Sequence, residues 1–444
     1  MSGYVLRSSR DSNEENIMEL NITLERAEAS EGMRASGFCR FCGSTLKHTF
    51  VDLGMSPLCE SYLTADQLNQ MEPFYPLHVK VCEGCYLVQL EEYVSAEHIF
   101  TEYAYFSSYS DSWLKHSSDY VDMISERLNL RAESLVVELA SNDGYLLQYF
   151  AKKGIRAFGV EPAANVAKAA QQKGVPTLVE FFGCQTARVM VANGVMADLV
   201  IGNNVLAQVP DLNDFVRGIR IVLKPGGVAT IEVPHLMRLM EENQYDTIYH
   251  EHFSYFSLIS AEKIFATNEL VIFDVEELPT HGGSIRLYLR HVEDESKPVT
   301  QAVGNLRDRE LAAGLDQMET YEDFGKAVEE SKRALLELLI RLRHEGKSVA
   351  GYGAPGKGNT LLNYCGIRTD FLDFTVDRNV YKQGRFLPGT HIPIYAVERI
   401  QDRHPDYILI LPWNLRDEIV TQLAYAREWG AKFIVPIPTA RILS

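Results

Sequence analysis

The architecture of this chain follows from one run of residues, Leu135-Val136-Val137-Glu138-Leu139-Ala140-Ser141-Asn142-Asp143-Gly144. Its first five residues are largely apolar, which predicts a strand that is buried on both faces. Small and polar residues follow, and a helix is predicted to begin there, so that a ligand can approach the backbone at the helix N-terminus. The next predicted strand, 157–161, ends at Glu161. A carboxylate at that position can accept both hydroxyls of a ribose.

Strands and helices keep alternating after this run. Further strands are predicted over 197–202 and 227–233, with helices over 145–153, 165–173 and 211–222. This alternation predicts an α/β fold with a parallel sheet and helices on both of its faces. Asn203 and Asn204 end one strand, and Leu223-Lys224-Pro225-Gly226-Gly227 precedes another. Together these features resemble class I S-adenosylmethionine-dependent methyltransferases, and the alternative is a nicotinamide-type Rossmann domain.

Bulk composition limits the class of protein. The 444 residues suggest two or three domains, and 46% hydrophobic with 23% charged residues is typical of a soluble globular protein. No stretch approaches the roughly 20 apolar residues that a membrane span needs, and no signal peptide is evident, so we expect a cytoplasmic protein without a membrane partner. The formal net charge of -17 argues against nucleic acid as a partner. Residues 1–36 are polar and acidic, and we expect a poorly ordered extension there.

Four of the seven cysteines form two Cys-x-x-Cys pairs, Cys39 with Cys42 and Cys82 with Cys85. Two such pairs can converge on one tetrahedral zinc ion, although coincidental cysteines or a redox pair remain alternatives. With four thiolates the metal site would be closed and therefore structural. The 39-residue gap between the pairs predicts a small β-rich subdomain.

The run Tyr249-His250-Glu251-His252 concentrates groups that can transfer protons or form hydrogen bonds. Imidazole titrates near neutrality, and a neighbouring carboxylate can fix its tautomer and raise its basicity. By itself the run is compatible with a catalytic base, a His-x-His metal site or a polar core cluster.

A second α/β segment is predicted to open near 347, after a long charged helix over 320–344. Its glycine-rich turn, Gly351-Tyr352-Gly353-Ala354-Pro355-Gly356-Lys357-Gly358-Asn359-Thr360, is not a Walker A motif but can hold a diphosphate at a helix N-terminus. A purely structural Rossmann-like domain is the alternative. Upstream, His281-Gly282-Gly283-Ser284-Ile285-Arg286 either presents His281 or Arg286 to a ligand or forms a tight turn into a strand.

The order of these motifs resembles the nucleotide-sugar C-methyltransferases of deoxysugar biosynthesis, especially the C-3 methyltransferases. The resemblance implies a zinc-binding domain over 37–95, an S-adenosylmethionine-dependent methyltransferase domain over 96–295, and a Rossmann-like domain over 296–444 that binds the nucleotide sugar. The substrate would be a nucleoside-diphosphate 4-keto-deoxysugar, methylated at C-3 through an enolate. Methylation at another carbon or on oxygen, a nicotinamide-dependent sugar-modifying enzyme and a non-catalytic binding protein are the other hypotheses.

The resemblance also assigns roles to residues of this chain. His252 would be the general base, Tyr249 and Glu251 would orient it or stabilise the enolate oxygen, and Tyr103 would close over the sugar. The cofactor-binding residues would be Glu138, Ala140, Asn142, Asp143, Gly144, Glu161, Asn203 and Asn204. The substrate-binding residues would be His281, Gly282, Gly353, Lys357, Asn359, Asp377, Lys382 and Arg385.

The sequence departs from the family pattern at one position, and the resemblance does not define the oligomeric state. Gln208 stands where a histidine is usual in the family, which puts the proton path in doubt because an amide cannot shuttle protons near neutral pH. We expect a monomer or a weak oligomer.

Overall fold

The computed structural model describes residues 37–100, 107–109 and 111–443. Within these residues the strands form three sheets, of four, seven and six strands. The extension predicted over 1–36 and the proposed sugar contact Tyr103 lie outside the described residues.

The N-terminal part is a small antiparallel sheet that carries the two cysteine pairs. Its strands are β1 (His48–Ser56), β2 (Tyr75–Val81) and β3 (Val88–Leu90). Along β2 the buried residues Leu77, Val79 and Val81 alternate with less buried polar ones, so one face packs inward. Two helices follow, α1 (Ala96–Phe100) and α2 (Asp111–Arg127).

The central part alternates strands and helices as predicted. Its strands are β4 (Leu135–Leu139), β5 (Arg156–Val160), β6 (Thr177–Leu178), β7 (Ala197–Asn203) and β8 (Leu223–Pro234). The intervening helices are α3 (Leu147–Lys152), α4 (Ala164–Gln172), α5 (Cys184–Ala192) and α6 (Leu212–Val222). The prediction that residues 223–227 precede a strand was wrong, because β8 already begins at Leu223 and pairs there with Ala197.

The remaining elements of this part are α7 (Leu236–Glu241), β9 (Ser254–Tyr255), α8 (Leu258–Thr267), β10 (Leu270–Leu278) and β11 (Ser284–His291). The sheet order is β10-β11-β8-β7-β4-β5-β6, with β11 antiparallel to both of its neighbours, so the sheet is mixed rather than purely parallel. Residues 249–252 come before β10 and β11 in the chain, so they do not follow the last strands of the central sheet. Strand β9 instead pairs with β3 of the N-terminal sheet.

The C-terminal part begins with two helices, α9 (Gln301–Ala312) and the long predicted helix, α10 (Met318–His344). The elements after them are β12 (Val349–Tyr352), α11 (Gly356–Cys365), β13 (Thr375–Val376), β14 (Ile394–Tyr395), α12 (Arg399–Arg403), β15 (Tyr407–Ile410), α13 (Arg416–Gln422), β16 (Lys432–Val435) and β17 (Arg441–Leu443). The order β14-β13-β12-β15-β16-β17 is parallel except for β17. Its strand order reverses next to β12, where α/β sheets bind ligands.

One apolar cluster anchors α2 to the central sheet. Tyr120, Val121 and Ile124 of α2 are buried against Phe150 of α3 and Val136 of β4. Burying one large apolar side chain contributes about 1.5–3 kcal/mol, so this cluster holds α2 firmly on the sheet. No helix in the described parts of the chain is long and apolar enough to cross a membrane.

Candidate functional site

One cavity of about 620 Å³ lies where the three parts of the chain meet. Its floor is formed by the carboxyl ends of β4, β5 and β7, the edge at which parallel sheets bind ligands. The predicted site residues that line it are Ala140, Asn142, Glu161, Asn203, Asn204, Tyr249, Glu251, His252, His281, Lys357 and Lys382. Segments far apart in sequence therefore contribute to one site.

The turn after β4 is shaped for a ligand that contacts its backbone. Ala140 and Asn142 both have positive φ angles, of 53° and 48°, which non-glycine residues seldom adopt. Glu161 holds the turn, since its carboxylate accepts hydrogen bonds from the backbone N–H groups of Asn142 and Ala163, both at 2.9 Å. Each carboxylate oxygen keeps a second lone pair for a ligand hydroxyl. Burial raises the pKa of Glu161.

Acceptor atoms around this turn lack partners. Among the described residues, the Oδ1 atoms of Asn203, Asn204 and Asp143 are buried without a hydrogen-bond partner. Buried polar atoms are nearly always paired, so this cluster of acceptors fits a ligand rich in donors. S-adenosylmethionine has an ammonium group, ribose hydroxyls and a cationic sulfur, and the residues present fit it.

Three of the predicted cofactor residues act from outside the cavity lining. Glu138 is completely buried, and burial raises its pKa well above the ordinary value. Asp143 pairs with Lys173 at 2.9 Å. Gly144 has a positive φ of 73°, and a Cβ atom there would lie 3.2 Å from Val175. Gly144 therefore lets the turn pack closely against Ala170 of α4 and against Val175.

The imidazole of His252 lines the cavity, and the protein engages one of its two ring nitrogens. The His252 Nδ1 atom lies 3.1 Å from the Thr247 carbonyl oxygen and donates to it, which leaves the lone pair on Nε2. Burial lowers the pKa of His252 to about 4, so the ring is neutral near pH 7. The Tyr249 ring packs against it with a centroid distance of 4.1 Å.

The neighbouring residues of the run face other partners. The expectation that an adjacent carboxylate fixes the tautomer was wrong, because a backbone carbonyl does so. Glu251 accepts a hydrogen bond from the Cys59 thiol at 3.6 Å. His250 donates to the Pro76 carbonyl at 3.2 Å and lies against the N-terminal sheet.

The four paired cysteines converge as the spacing predicts. Their sulfurs lie within 4.8 Å of one another, and this is the group of described residues that could hold a metal ion. Cys39 Sγ lies 3.6 Å from Cys85 Sγ, and Cys42 Sγ lies 3.5 Å from Cys82 Sγ. Zinc–sulfur bonds of about 2.3 Å in a tetrahedron require sulfur separations just under 4 Å, so the residues fit a zinc ion. Gln89 Nε2 also donates to Cys39 Sγ at 3.2 Å.

The motif around His281 is both a turn and a wall of the cavity. It joins β10 to β11, His281 has a φ of 55°, and its Nε2 atom lies 2.8 Å from Asn204 Nδ2. The expectation that Arg286 could face a ligand was wrong, because Arg286 is buried and paired with Glu232 and Glu276. A Cβ atom at Gly282 would lie 2.6 Å from the Trp413 ring, so this glycine permits close packing with the C-terminal part.

Two lysines approach the cavity from the C-terminal part. Lys357 Nζ, in the first turn of α11, lies 3.0 Å from Asn414 Oδ1 and 4.6 Å from the centroid of the Trp413 ring. Burial lowers the pKa of Lys357. Lys382 Nζ donates to the Ala354 carbonyl at 2.9 Å and lies 3.4 Å from Glu60.

The other predicted substrate residues of the C-terminal part do not line the cavity. Gly353 permits close packing against Pro412, since a Cβ atom at position 353 would lie 2.5 Å from the proline ring. Asn359 donates to the Cys59 carbonyl at 2.5 Å. Asp377 accepts from the Ala354 N–H at 2.7 Å, and the exposed Arg385 bonds its own loop at the Tyr381 carbonyl.

Several cavity residues were not predicted. Cys59 and Glu60 reach the cavity from the loop between β1 and β2, Trp113 from α2, and Tyr145 from the turn before α3. No spacing pattern connects them with the predicted motifs, so a single sequence offers no signal for them. Gln208, which departs from the family pattern, does line the cavity.

Three family models match successive parts of the chain. They describe a zinc binding domain at 39–100, a methyltransferase domain at 113–274 and a C-methyltransferase C-terminal domain at 279–438. The chain is 37% identical to the C-methyltransferase NovU of Streptomyces niveus over 406 residues, which cover 91% of this chain and 96% of that protein.

Further similarities are more local. A ubiquinone biosynthesis O-methyltransferase of Methylobacterium sp. (strain 4-46) is 35% identical over 97 residues, which are 21% of this chain and 38% of that protein. A solved S-adenosylmethionine-dependent methyltransferase from Clostridium acetobutylicum has a TM-score of 0.32 and 13% identity, covering 40% of this chain and 92% of that chain. The magnesium protoporphyrin IX methyltransferase of Synechocystis PCC 6803 has a TM-score of 0.31 and 15% identity, covering 40% and 81%.

Proposed function

Since the chain belongs to the C-methyltransferase family, we propose that it methylates C-3 of a nucleoside-diphosphate 4-keto-deoxysugar. Its cofactors are S-adenosylmethionine and a structural zinc ion, for which Cys39, Cys42, Cys82 and Cys85 supply the ligands. The observation that carries the proposal is that one cavity combines a neutral buried imidazole, two lysines and the carboxylate at the end of β5.

The proposed reaction begins at His252. A hydrogen on the carbon next to a ketone is weakly acidic because the resulting carbanion is an enolate. The Nε2 atom of His252 takes this proton, since the hydrogen bond to Thr247 keeps the other ring nitrogen protonated. Tyr249 holds the ring by direct packing. In the same proposal Tyr249 and Glu251 help to orient the base or to stabilise the enolate oxygen, and Tyr103 closes over the sugar.

The residues at the carboxyl ends of β4, β5 and β7 hold the methyl donor. S-adenosylmethionine supplies an electrophilic methyl group on a cationic sulfur. Glu161 accepts the ribose hydroxyls, Asn203 and Asn204 offer acceptor atoms to the ammonium group, and the buried Glu138 supports the site from beneath the cavity lining. Ala140, Asn142, Asp143 and Gly144 shape the turn. Because the leaving group needs little assistance, the contribution of these residues is positioning.

The C-terminal part binds the nucleotide in this proposal. Lys357 lies in the first turn of α11, where backbone N–H groups and the helix dipole favour an anion, and Lys382 adds a second cation. His281 contacts the sugar. Gly282, Gly353, Asn359 and Asp377 maintain the shape of the site, and Arg385 is available on the exposed side of its loop.

The test separates proton removal from methyl transfer. The protein is incubated in D₂O with S-adenosylhomocysteine and nucleoside-diphosphate 4-keto-sugars, and exchange at C-3 is followed by NMR. His252→Asn should abolish this exchange while both ligands still bind, whereas the matched variant His250→Asn should retain it. Exchange at a near wild-type rate in His252→Asn would assign the base elsewhere.

Labelled S-adenosylmethionine then tests the product. We expect one methyl group on C-3 of the sugar, located by NMR. A methyl group on another carbon or on oxygen would replace the proposed regiochemistry. Failure to methylate any of the sugars, together with stabilisation by nicotinamide dinucleotides, would favour the alternative of a nicotinamide-dependent enzyme.

A further inference from the structure

A buried carboxylate lies behind the cavity wall and has no role in the reaction just described. Glu232, on β8, is fully buried and accepts hydrogen bonds from three separate elements. These come from Thr280 Oγ1 at 2.8 Å, Arg286 Nη2 at 2.9 Å and His116 Nε2 at 3.1 Å. Although burial alone would raise its pKa, His116 and Arg286 lower the pKa of Glu232 to about 2, so it stays ionised.

Two of the three donors, Thr280 and His116, belong to elements that carry cavity residues. Thr280 directly precedes His281 in the turn between β10 and β11. His116 lies one helical turn after Trp113 on α2, and the two rings stack with centroids 5.1 Å apart. Trp113 in turn meets the His281 ring edge to face, also at 5.1 Å. Glu232 therefore supports both Trp113 and His281 from behind, through His116 and Thr280.

His281 requires such support. Its φ of 55° is unfavourable for a residue with a side chain, and a conformation of this kind persists only where the surroundings impose it. Trp113 also has Tyr145 on another side, at a centroid distance of 6.0 Å. Trp113, Tyr145 and His281 line the same cavity as His252.

We propose that Glu232 and Thr280 are positioning residues that hold His281 and Trp113 in a fixed place on the cavity wall, so that the sugar is presented correctly to His252. This inference rests on the proposed function. The ionised carboxylate joins α2, β11 and the turn before β11, and a satisfied buried network of this kind selects one arrangement of the elements that it connects. Without it the turn could relax away from the cavity while the rest of the sheet stays folded.

The test removes one hydroxyl. Thr280→Val keeps the side-chain volume and leaves Glu232 with His116 and Arg286, so folding is preserved. We expect kcat to fall about 10-fold or more, because a hydrogen bond to a charged group is lost, with the Kd for S-adenosylhomocysteine unchanged. Thr280→Ser should restore most of the activity. The matched control is Thr267→Val on α8, whose hydroxyl bonds only a carbonyl in its own helix, and this variant should behave as wild type.

A double-mutant cycle decides whether Thr280 acts through His281. If it does, Thr280→Val combined with His281→Asn will be no slower than His281→Asn alone, since residues that act as a unit are non-additive. Fully additive losses, or wild-type kcat in Thr280→Val, would overturn the inference.

A second readout does not depend on the substrate. In protein labelled with ¹⁵N-histidine, the ring signals of His281 and His250 can be identified among those of the 12 histidines by their loss in His281→Asn and in His250→Asn. Thr280→Val should shift or broaden the His281 signals and leave those of His250 in place. Unchanged His281 signals would refute the positioning role, whether or not the wild-type protein methylates a sugar. Absence of methylation by the wild-type protein would count against the proposed function alone.

Discussion

Acidification should destabilise this protein through His252, and the structure gives the magnitude. Burial lowers the pKa of His252 from 6.5 to about 4, so the unfolded chain binds this proton more readily than the folded chain. The contribution to stability is therefore complete above pH 6.5, declines as the pH falls, and is lost by about pH 4. Each pKa unit corresponds to about 1.4 kcal/mol, which gives about 3 kcal/mol in total and about 2 kcal/mol between pH 7.5 and pH 5.

The assay compares wild type with His252→Asn by urea unfolding at pH 7.5 and at pH 5. The packing loss caused by the substitution does not depend on pH, whereas the titration term disappears with the imidazole. The stability difference between wild type and variant should therefore shrink by about 2 kcal/mol on acidification. The stability difference between wild type and His252→Gln should shrink by the same amount on acidification. A difference that stays constant, or that grows at pH 5, would refute the conclusion that this ring is buried in its neutral form.

Three further predictions address the other parts of the site. Glu161→Gln replaces an acceptor of two backbone N–H groups by an amide, and we expect S-adenosylhomocysteine to bind about 10- to 100-fold more weakly in calorimetry. Lys357→Met should raise KM for the nucleotide sugar by at least about 10-fold while the Kd for S-adenosylhomocysteine stays constant. Cys82→Ser should remove the metal, seen as loss of zinc in elemental analysis, and lower Tm; full zinc content in this variant would contradict the assigned ligands.

Local patterns predicted much of the fold. The apolar run of β4, the acidic end of β5 and the long α10 were predicted correctly because their residues are close in sequence and repeat with the period of a strand or a helix. The sheet edge was harder to predict. Strand β11 joins the central sheet antiparallel to β8, and β9 pairs with the N-terminal sheet, so both pairings link segments that are distant in sequence.

The candidate site divides in the same way. Residues such as Asn142, Glu161 and His252 stand in recognisable local motifs, and all three line the cavity. Residues such as Cys59 and Trp113 stand in no such motif, because they reach the cavity through the packing of segments that are far apart in sequence. Asn359 and Asp377 belong to a predicted binding motif but bond the protein itself.

The amino-acid sequence alone determined the chemical groups available to this protein: four thiolates in two pairs, a turn of small and polar residues between a strand and a helix, and an imidazole in a run of polar residues. Only the tertiary structure decided how those groups behave. The Thr247 carbonyl selects the tautomer of His252, burial lowers its pKa, and Glu232 supports His281 from behind the cavity wall. These effects depend on distance and on exclusion of water, and both arise when segments far apart in the chain pack together.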